Sequence, residues 1–201
     1  MSKDKVTEDR IFEAARMAFH RSGFDGARMQ EIADEAGINK ALLHYYFRSK
    51  DKLFEAVLHD AMTRIGPKMF EVLDSDMPLE EKVKAFVERY IDTVMENPYL
   101  PGFIIHEMHC NTERFKSFVA DKRFIKLGKL KKQLQDGVDE GKYRPISAEQ
   151  FFLNMFGLCA FPFVAKYAMQ AFLGINDRDY QKLLQERKKE VPEFILNTLR
   201  K

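Results

Sequence analysis

Arg28-Met29-Gln30-Glu31-Ile32-Ala33-Asp34-Glu35-Ala36-Gly37-Ile38-Asn39-Lys40-Ala41-Leu42-Leu43-His44-Tyr45-Tyr46-Phe47 is the stretch whose reading decides the fold. Ile32 and Ala33 lie one turn ahead of Ala36, so a short helix over 29–36 packs through a narrow face of small residues. Gly37 supplies the left-handed conformation that a tight turn between two helices requires. Ile38 follows as a buried turn residue, and Asn39 can cap a second helix over 39–46 through its side-chain oxygen. Leu43 and Phe47 recur four apart toward the core. That leaves Lys40, Ala41, His44 and Tyr45 on the opposite face, with Tyr46 at its edge. Small, basic and hydrogen-bonding aromatic groups on the exposed N-terminal half of a second helix are what a DNA major groove accepts.

Charge sharpens this reading. Residues 1–60 hold ten Lys or Arg against eleven Asp or Glu, yet within 38–52 Lys40, Arg48, Lys50 and Lys52 face only Asp51. Positive charge is therefore concentrated in and just after the second helix. Lys50 falls in the first turn of the next helix, where free backbone N–H groups also favour a phosphate. Arg28 and Gln30, at the start of the first motif helix, are expected DNA-backbone contacts, and Asn39 is also counted among the expected DNA-binding residues.

The rest of the chain also follows a helical period. Thr7 is the expected cap of a first helix carrying Ile11, Ala14, Ala15, Ala18 and Phe19, which Gly23 stops. Ser49 caps a fourth, with Leu53, Phe54, Val57 and Leu58, broken or bent at Gly66-Pro67. Pro78 opens a helix whose stripe of Val83, Phe86, Val87, Tyr90, Ile91, Val94 and Met95 ends at Asn97-Pro98. One long helix is expected over 115–140, with Phe118, Ile125, Leu130, Leu134 and Val138 inside, and two more over 147–173 and 177–199. No alternating strand pattern is present, and the expected class is all-α.

Composition sets the outer bounds. At 201 residues and 45% hydrophobic, the chain can build a core, and at 32% charged it is neither low-complexity nor disordered. A net charge of +2 favours no partner by itself, so any nucleic-acid face must be local. Two cysteines cannot form a disulfide framework, and the start Ser2-Lys3-Asp4-Lys5 is unlike a signal peptide, which points to the cytoplasm. The apolar run Met155–Ala165 is shorter than the roughly 20 residues of a membrane span. No membrane partner is expected.

The motif resembles the DNA-binding domain of the tetracycline-repressor (TetR) family of bacterial regulators. The matching residues are Ile11 through Phe19, Gly23-Phe24, Ile32-Ala33, Ala36-Gly37-Ile38, Leu43, Phe47, Ser49-Lys50 and Leu53. Family members usually carry Ser or Thr where Arg28 stands and Tyr where His44 stands. The resemblance implies a three-helix helix-turn-helix domain, about 1–50, joined to a larger helical domain for effector binding and dimerisation, 51–201. It implies a repressor, not an enzyme, that binds a palindromic operator in double-stranded DNA as a homodimer and is released by a small, mostly apolar effector. It also implies that the helix starting at Ser49 tilts when the effector binds, and that the last two helices of each subunit pair into a four-helix bundle.

Beyond residue 60 the chain is rich in aromatic and sulfur groups, most of them expected in the core. Candidate effector contacts are Tyr90, Phe103, His106, Phe156 and Cys159. Candidate dimer contacts are Phe152, Met155, Phe163, Leu184, Phe194 and Ile195. The basic run Lys122, Arg123, Lys126, Lys129, Lys131 and Lys132 reads as a solvated helix face. His106-Glu107-Met108-His109-Cys110 suggests the alternative of a helical metal–thiol protein or enzyme centred on His106, His109 and Cys110. Metal sites take about four ligands, and no second cluster accompanies these, so neither metal nor cofactor is expected.

Overall fold

The computed structural model describes residues 3–120 and 126–200. It contains helices and no β-strand among the described residues; an isolated antiparallel bridge joins Tyr143 and Arg200. Two compact units divide the chain: Met1–Arg64 with Pro98–Phe115, and Ile65–Asn97 with Lys116–Lys201.

The first unit holds α1 (Lys3–Gly26), α2 (Met29–Glu35), α3 (Lys40–Phe47), α4 (Lys50–Arg64) and α7 (Leu100–Cys110). α1 buries Ile11, Ala14, Ala15, Ala18 and Phe19, the stripe its spacing predicts. It begins ahead of the expected cap, so Thr7 lies inside it. Lys3 to Val6 contain no Gly or Pro, and lysine is a good helix former, so nothing holds the start at Thr7. Gly23, at φ 68° and ψ 179°, breaks the helical path where the sequence places the stop. Arg16 ties α1 to α4 through Asp60 at 2.6 Å, and Asp60 also accepts from Arg64 at 2.8 Å. This unit extends past residue 50 because α4 and α7 complete its core: Phe54 sets its ring edge-on to Phe19 at 5.2 Å and lies 4.5 Å from Phe103.

The second unit holds α5 (Gly66–Phe70), a 3-10 turn (Glu71–Asp74), α6 (Leu79–Glu96), α9 (Gly128–Asp139), α10 (Ala148–Val164), α11 (Lys166–Leu173) and α12 (Asp177–Leu199); the division falls within α8 (Thr112–Val119). The α6 stripe is buried from Val83 to Val94 and packs most extensively against α12. Lys82 is fully buried beside it, its ammonium donating to the carbonyls of Leu73 at 3.2 Å and Ser75 at 3.0 Å. Burial, and then the charge of Lys129, hold its pKa below the ordinary lysine value.

Two expected helices are corrected. The single helix over 115–140 does not form: α8 ends at Val119, Lys126 and Leu127 are non-helical, and Gly128 opens α9. Lys122, Arg123, Ile125 and the side chain of Phe118 lie outside the described residues. Lys126, Lys129, Lys131 and Lys132 are exposed, with Lys129 bound to Asp76 and Lys131 to Glu149. The helix over 147–173 starts at its Ser147 cap, whose hydroxyl accepts from the Gln150 N–H at 3.2 Å. It then bends by 79° between α10 and α11. Pro162 has no N–H to continue the ladder, so the helical path fails just after it. No single helix among the described residues is long and apolar enough to cross a membrane.

Candidate nucleic-acid interface

The turn between α2 and α3 follows its sequence, except that Ile38, expected to be buried, is half-buried. Gly37 adopts φ 65°, and a Cβ there would strike the Arg10 guanidinium, which donates to the Ala36 carbonyl. Asn39 is extended and its side-chain oxygen accepts from the Leu42 N–H at 2.7 Å, the bond that starts α3. Leu43 and Phe47 are buried, with Phe12 against Phe47 at 5.7 Å. The inner face of α3 is therefore fixed, and its outer face is exposed.

That outer face exposes Lys40, Ala41 and His44, together with Tyr45 at 81% exposure. Tyr46 is half-buried, stacked on Phe47 and edge-on to Tyr45. His44 Nδ1 lies 3.1 Å from the Arg48 carbonyl. Arg28 is the extended N-cap of α2 and makes no side-chain cap, consistent with the loss of the usual hydroxyl. Gln30 is exposed and donates to Asp34 at 2.7 Å. Leu42, 37% exposed on the same helix, is a surface residue that apolar periodicity passes over.

Lys50 is engaged within the protein. Its ammonium donates to the carbonyls of Asp25 and Ala27, both at 3.2 Å, and lies 4.6 Å from the centre of the Phe24 ring. A lysine in the first turn of a helix opposes the helix dipole, and these two carbonyls offset that cost. Lys50 thus clamps the joint between α1 and α2. Ser49 caps α4 by accepting from the Lys52 N–H at 3.2 Å.

The five expected effector residues fall into two groups. Phe103 and His106 belong to the first unit, where His106 stacks on Phe24 at 4.3 Å. Tyr90, Phe156 and Cys159 cluster in the second, with Phe156 edge-on to Tyr90 at 5.5 Å. Burial raises the Tyr90 hydroxyl well above the ordinary phenol value and pushes the Cys159 thiol up to about 12. A separate cleft of about 280 Å³ is lined by Arg144, Phe151, Asn154, Leu158 and Phe194 among others, and holds none of the five.

The expected dimer residues also divide. Met155, Leu184 and Ile195 are buried within the protomer and serve its own core. Phe152 and Phe163 are half-buried, and Phe194 is 61% exposed. Helical spacing finds the apolar stripe without telling which of its two edges faces outward. The large exposed apolar groups on α10 and α11 are instead Leu153, Phe161, Val164, Tyr167, Phe172 and Leu173.

A glycine turn joining a buried-faced α2 to an α3 with an open, partly basic face defines a helix-turn-helix protein. Residues 11–57 match the bacterial regulatory proteins of the tetR family, and residues 76–200 match the tetracyclin repressor-like C-terminal domain. The chain belongs to the TetR family of transcriptional regulators. It is 27% identical over 183 residues to the transcriptional repressor NicS of Pseudomonas putida, covering 87% of this chain and 84% of that one. It is 44% identical over 133 residues to the transcriptional regulator RutR of Escherichia coli O157:H7, covering 60% and 62%. Its fold is similar to that of the transcriptional regulator FadR of Bacillus subtilis, solved in complex with stearoyl-CoA (TM-score 0.67, 17% identity, 94% and 98% covered).

Proposed function

We propose that the protein is a ligand-responsive repressor that binds a palindromic operator as a homodimer. The observation that carries this reading is the α3 face: Lys40, Ala41, His44 and Tyr45 are exposed together on a helix held rigidly by Leu43, Phe47 and the Asn39 cap. In this reading Lys40, His44, Tyr45 and the half-buried Tyr46 meet the major groove, with Arg28, Gln30 and Lys50 near the flanking backbone. Repression is supported by NicS, a relative that is a repressor.

One protomer offers one recognition helix, and such helices gain specificity by reading two half-sites about one DNA turn apart. The exposed apolar groups of α10 and α11, with Phe194 of α12, are the surface a second copy would cover. An effector acts only by favouring one dimer geometry over another. The Tyr90, Phe156 and Cys159 cluster is the proposed effector region; a mostly apolar ligand is consistent with it and with FadR, a fold relative that binds stearoyl-CoA.

Fluorescence anisotropy against DNA from immediately upstream of the protein's own gene tests this, with shuffled duplex as competitor and two salt concentrations. Tight binding that survives competitor, with two protomers per site, is the expected result. Binding equal to the shuffled duplex and abolished by salt would reduce the interaction to phosphate attraction at that site.

A further inference from the structure

We propose that Cys110 and His106 form a reactive thiol–imidazole pair that captures soft electrophiles of the α,β-unsaturated carbonyl class, and that the adduct weakens DNA binding. Cys110 is exposed in the last turn of α7, and its Sγ lies 3.8 Å from Nδ1 of His106, one turn earlier. The contact joins a nucleophile to a base in a solvent-accessible place, the arrangement nucleophilic chemistry requires. The other cysteine, Cys159, is buried. Among the described residues no group of three His, Cys, Asp or Glu could hold a metal ion, so a two-donor site favours covalent capture over metal binding.

The addition balances without a leaving group, oxidant or reductant. The thiol gives its proton to Nδ1 as the sulfur electron pair forms a bond to the β-carbon. The alkene π pair moves onto the carbonyl as an enolate. The imidazolium then returns the proton to the α-carbon, leaving a thioether and a neutral imidazole.

A second observation links this pair to the DNA-binding helices. The His106 ring stacks on Phe24 at 4.3 Å, inclined by 28°, and lies edge-on to Phe54 at 4.8 Å. Phe24 stands in the joint between α1 and α2, just after the break at Gly23, and carries the Lys50 ammonium. His106 and Lys50 therefore both act on the segment that positions α2 and α3. An adduct beside His106 must displace or reorient that ring, and the joint moves with it. The coupling to DNA rests on the reading given above; the chemistry of the pair does not.

The test treats the full-length protein with methyl vinyl ketone, maps and times the adduct by mass spectrometry, and measures operator binding before and after. Cys110 is expected to react at least about tenfold faster than glutathione at the same pH, a modest share of what a positioned base supplies. His106→Phe keeps a flat ring on Phe24 and removes the base, so it should bring the rate to that of glutathione; His106→Gln should do the same. The adduct should weaken operator binding at least about tenfold, within the usual range of allosteric coupling, while Cys110→Ser binds DNA normally and ignores the reagent. A wild-type rate no faster than glutathione, or one unchanged in both His106 variants, overturns the pair. Unaltered DNA affinity of the fully alkylated protein overturns the coupling. Untreated protein that binds the duplex from upstream of its own gene no better than shuffled DNA counts against the DNA-binding reading at that site, and the rate comparison still decides the pair.

Discussion

The guanidinium of Arg187 donates to the carbonyl of Leu158 at 2.7 Å, filling the acceptor four residues before Pro162 that proline cannot reach. The Tyr180 hydroxyl donates to the Pro162 carbonyl, also at 2.7 Å. α12 thus supplies two donors to the stretch where α10 gives way to α11. Arg187→Met should cost about 1 kcal/mol, the low end of the range for an unsatisfied acceptor, because the Leu158 carbonyl is only partly buried. In a Pro162→Ala background the backbone N–H returns, and the same substitution should cost less. Urea unfolding of the four proteins measures the coupling, and equal costs in both backgrounds would refute it.

Tyr45 and Lys50 should separate in their effects. Tyr45 is almost wholly exposed, so Tyr45→Ala should weaken operator binding with a change in melting temperature too small to matter. Lys50→Ala releases the Asp25 and Ala27 carbonyls and should lower both stability and DNA affinity. Lys40→Ala should leave the melt unaltered and reduce the salt slope of binding by about one. Thermal melts paired with anisotropy at several salt concentrations read all three.

Gly137 carries a prediction opposite to helix propensity. It lies within α9, where alanine would ordinarily stabilise by about 1 kcal/mol. A Cβ at this position would overlap the Tyr143 ring, whose backbone N–H donates to the Gly137 carbonyl at 3.0 Å. Gly137→Ala should therefore destabilise by about 1–3 kcal/mol through overpacking. A raised denaturation midpoint would contradict this.

The buried Cys159 thiol links stability to alkaline pH. Its pKa rises from 9.0 to about 12 on folding because burial disfavours the thiolate. The folded state then holds its proton where the unfolded state loses it. This group's contribution is constant below about pH 9 and is lost as pH climbs toward 12. Cys159→Ala should make the alkaline decline in unfolding free energy shallower. Alkylation of Cys159 at neutral pH should require unfolding, which iodoacetamide labelling across a denaturant series would follow.

The sequence made the reading helices legible because their determinants are local. Gly37 sets its own backbone turn, Asn39 caps the N–H three residues on, and Leu43 and Phe47 share a face one turn apart, and all four take the expected places. The division between surface and core was less legible beyond residue 60, where apolar residues surround much of each helix. Met155 and Leu153 are two residues apart with similar hydrophobicity, yet one is buried and the other 62% exposed. Packing partners distant in sequence decide that difference. The placement of Phe103 and His106 in the first unit is equally hard to read, since their neighbours Phe24 and Phe54 lie about fifty or more residues earlier in the chain. Lys50 shows the converse case, where a correct position in the motif concealed an intramolecular role.

α7 comes from far down the chain, yet it closes the unit that contains α1 to α4. Excising residues 1–64 as a minimal reading head would strip Phe103 from Phe19 and Phe54, and His106 from Phe24. The aromatic faces so bared would make the fragment sticky and loose at its α1–α2 corner. Transplanting this specificity onto another scaffold therefore calls for a discontinuous graft that carries 98–115 with it. The chain's modularity is spatial and does not follow its linear order.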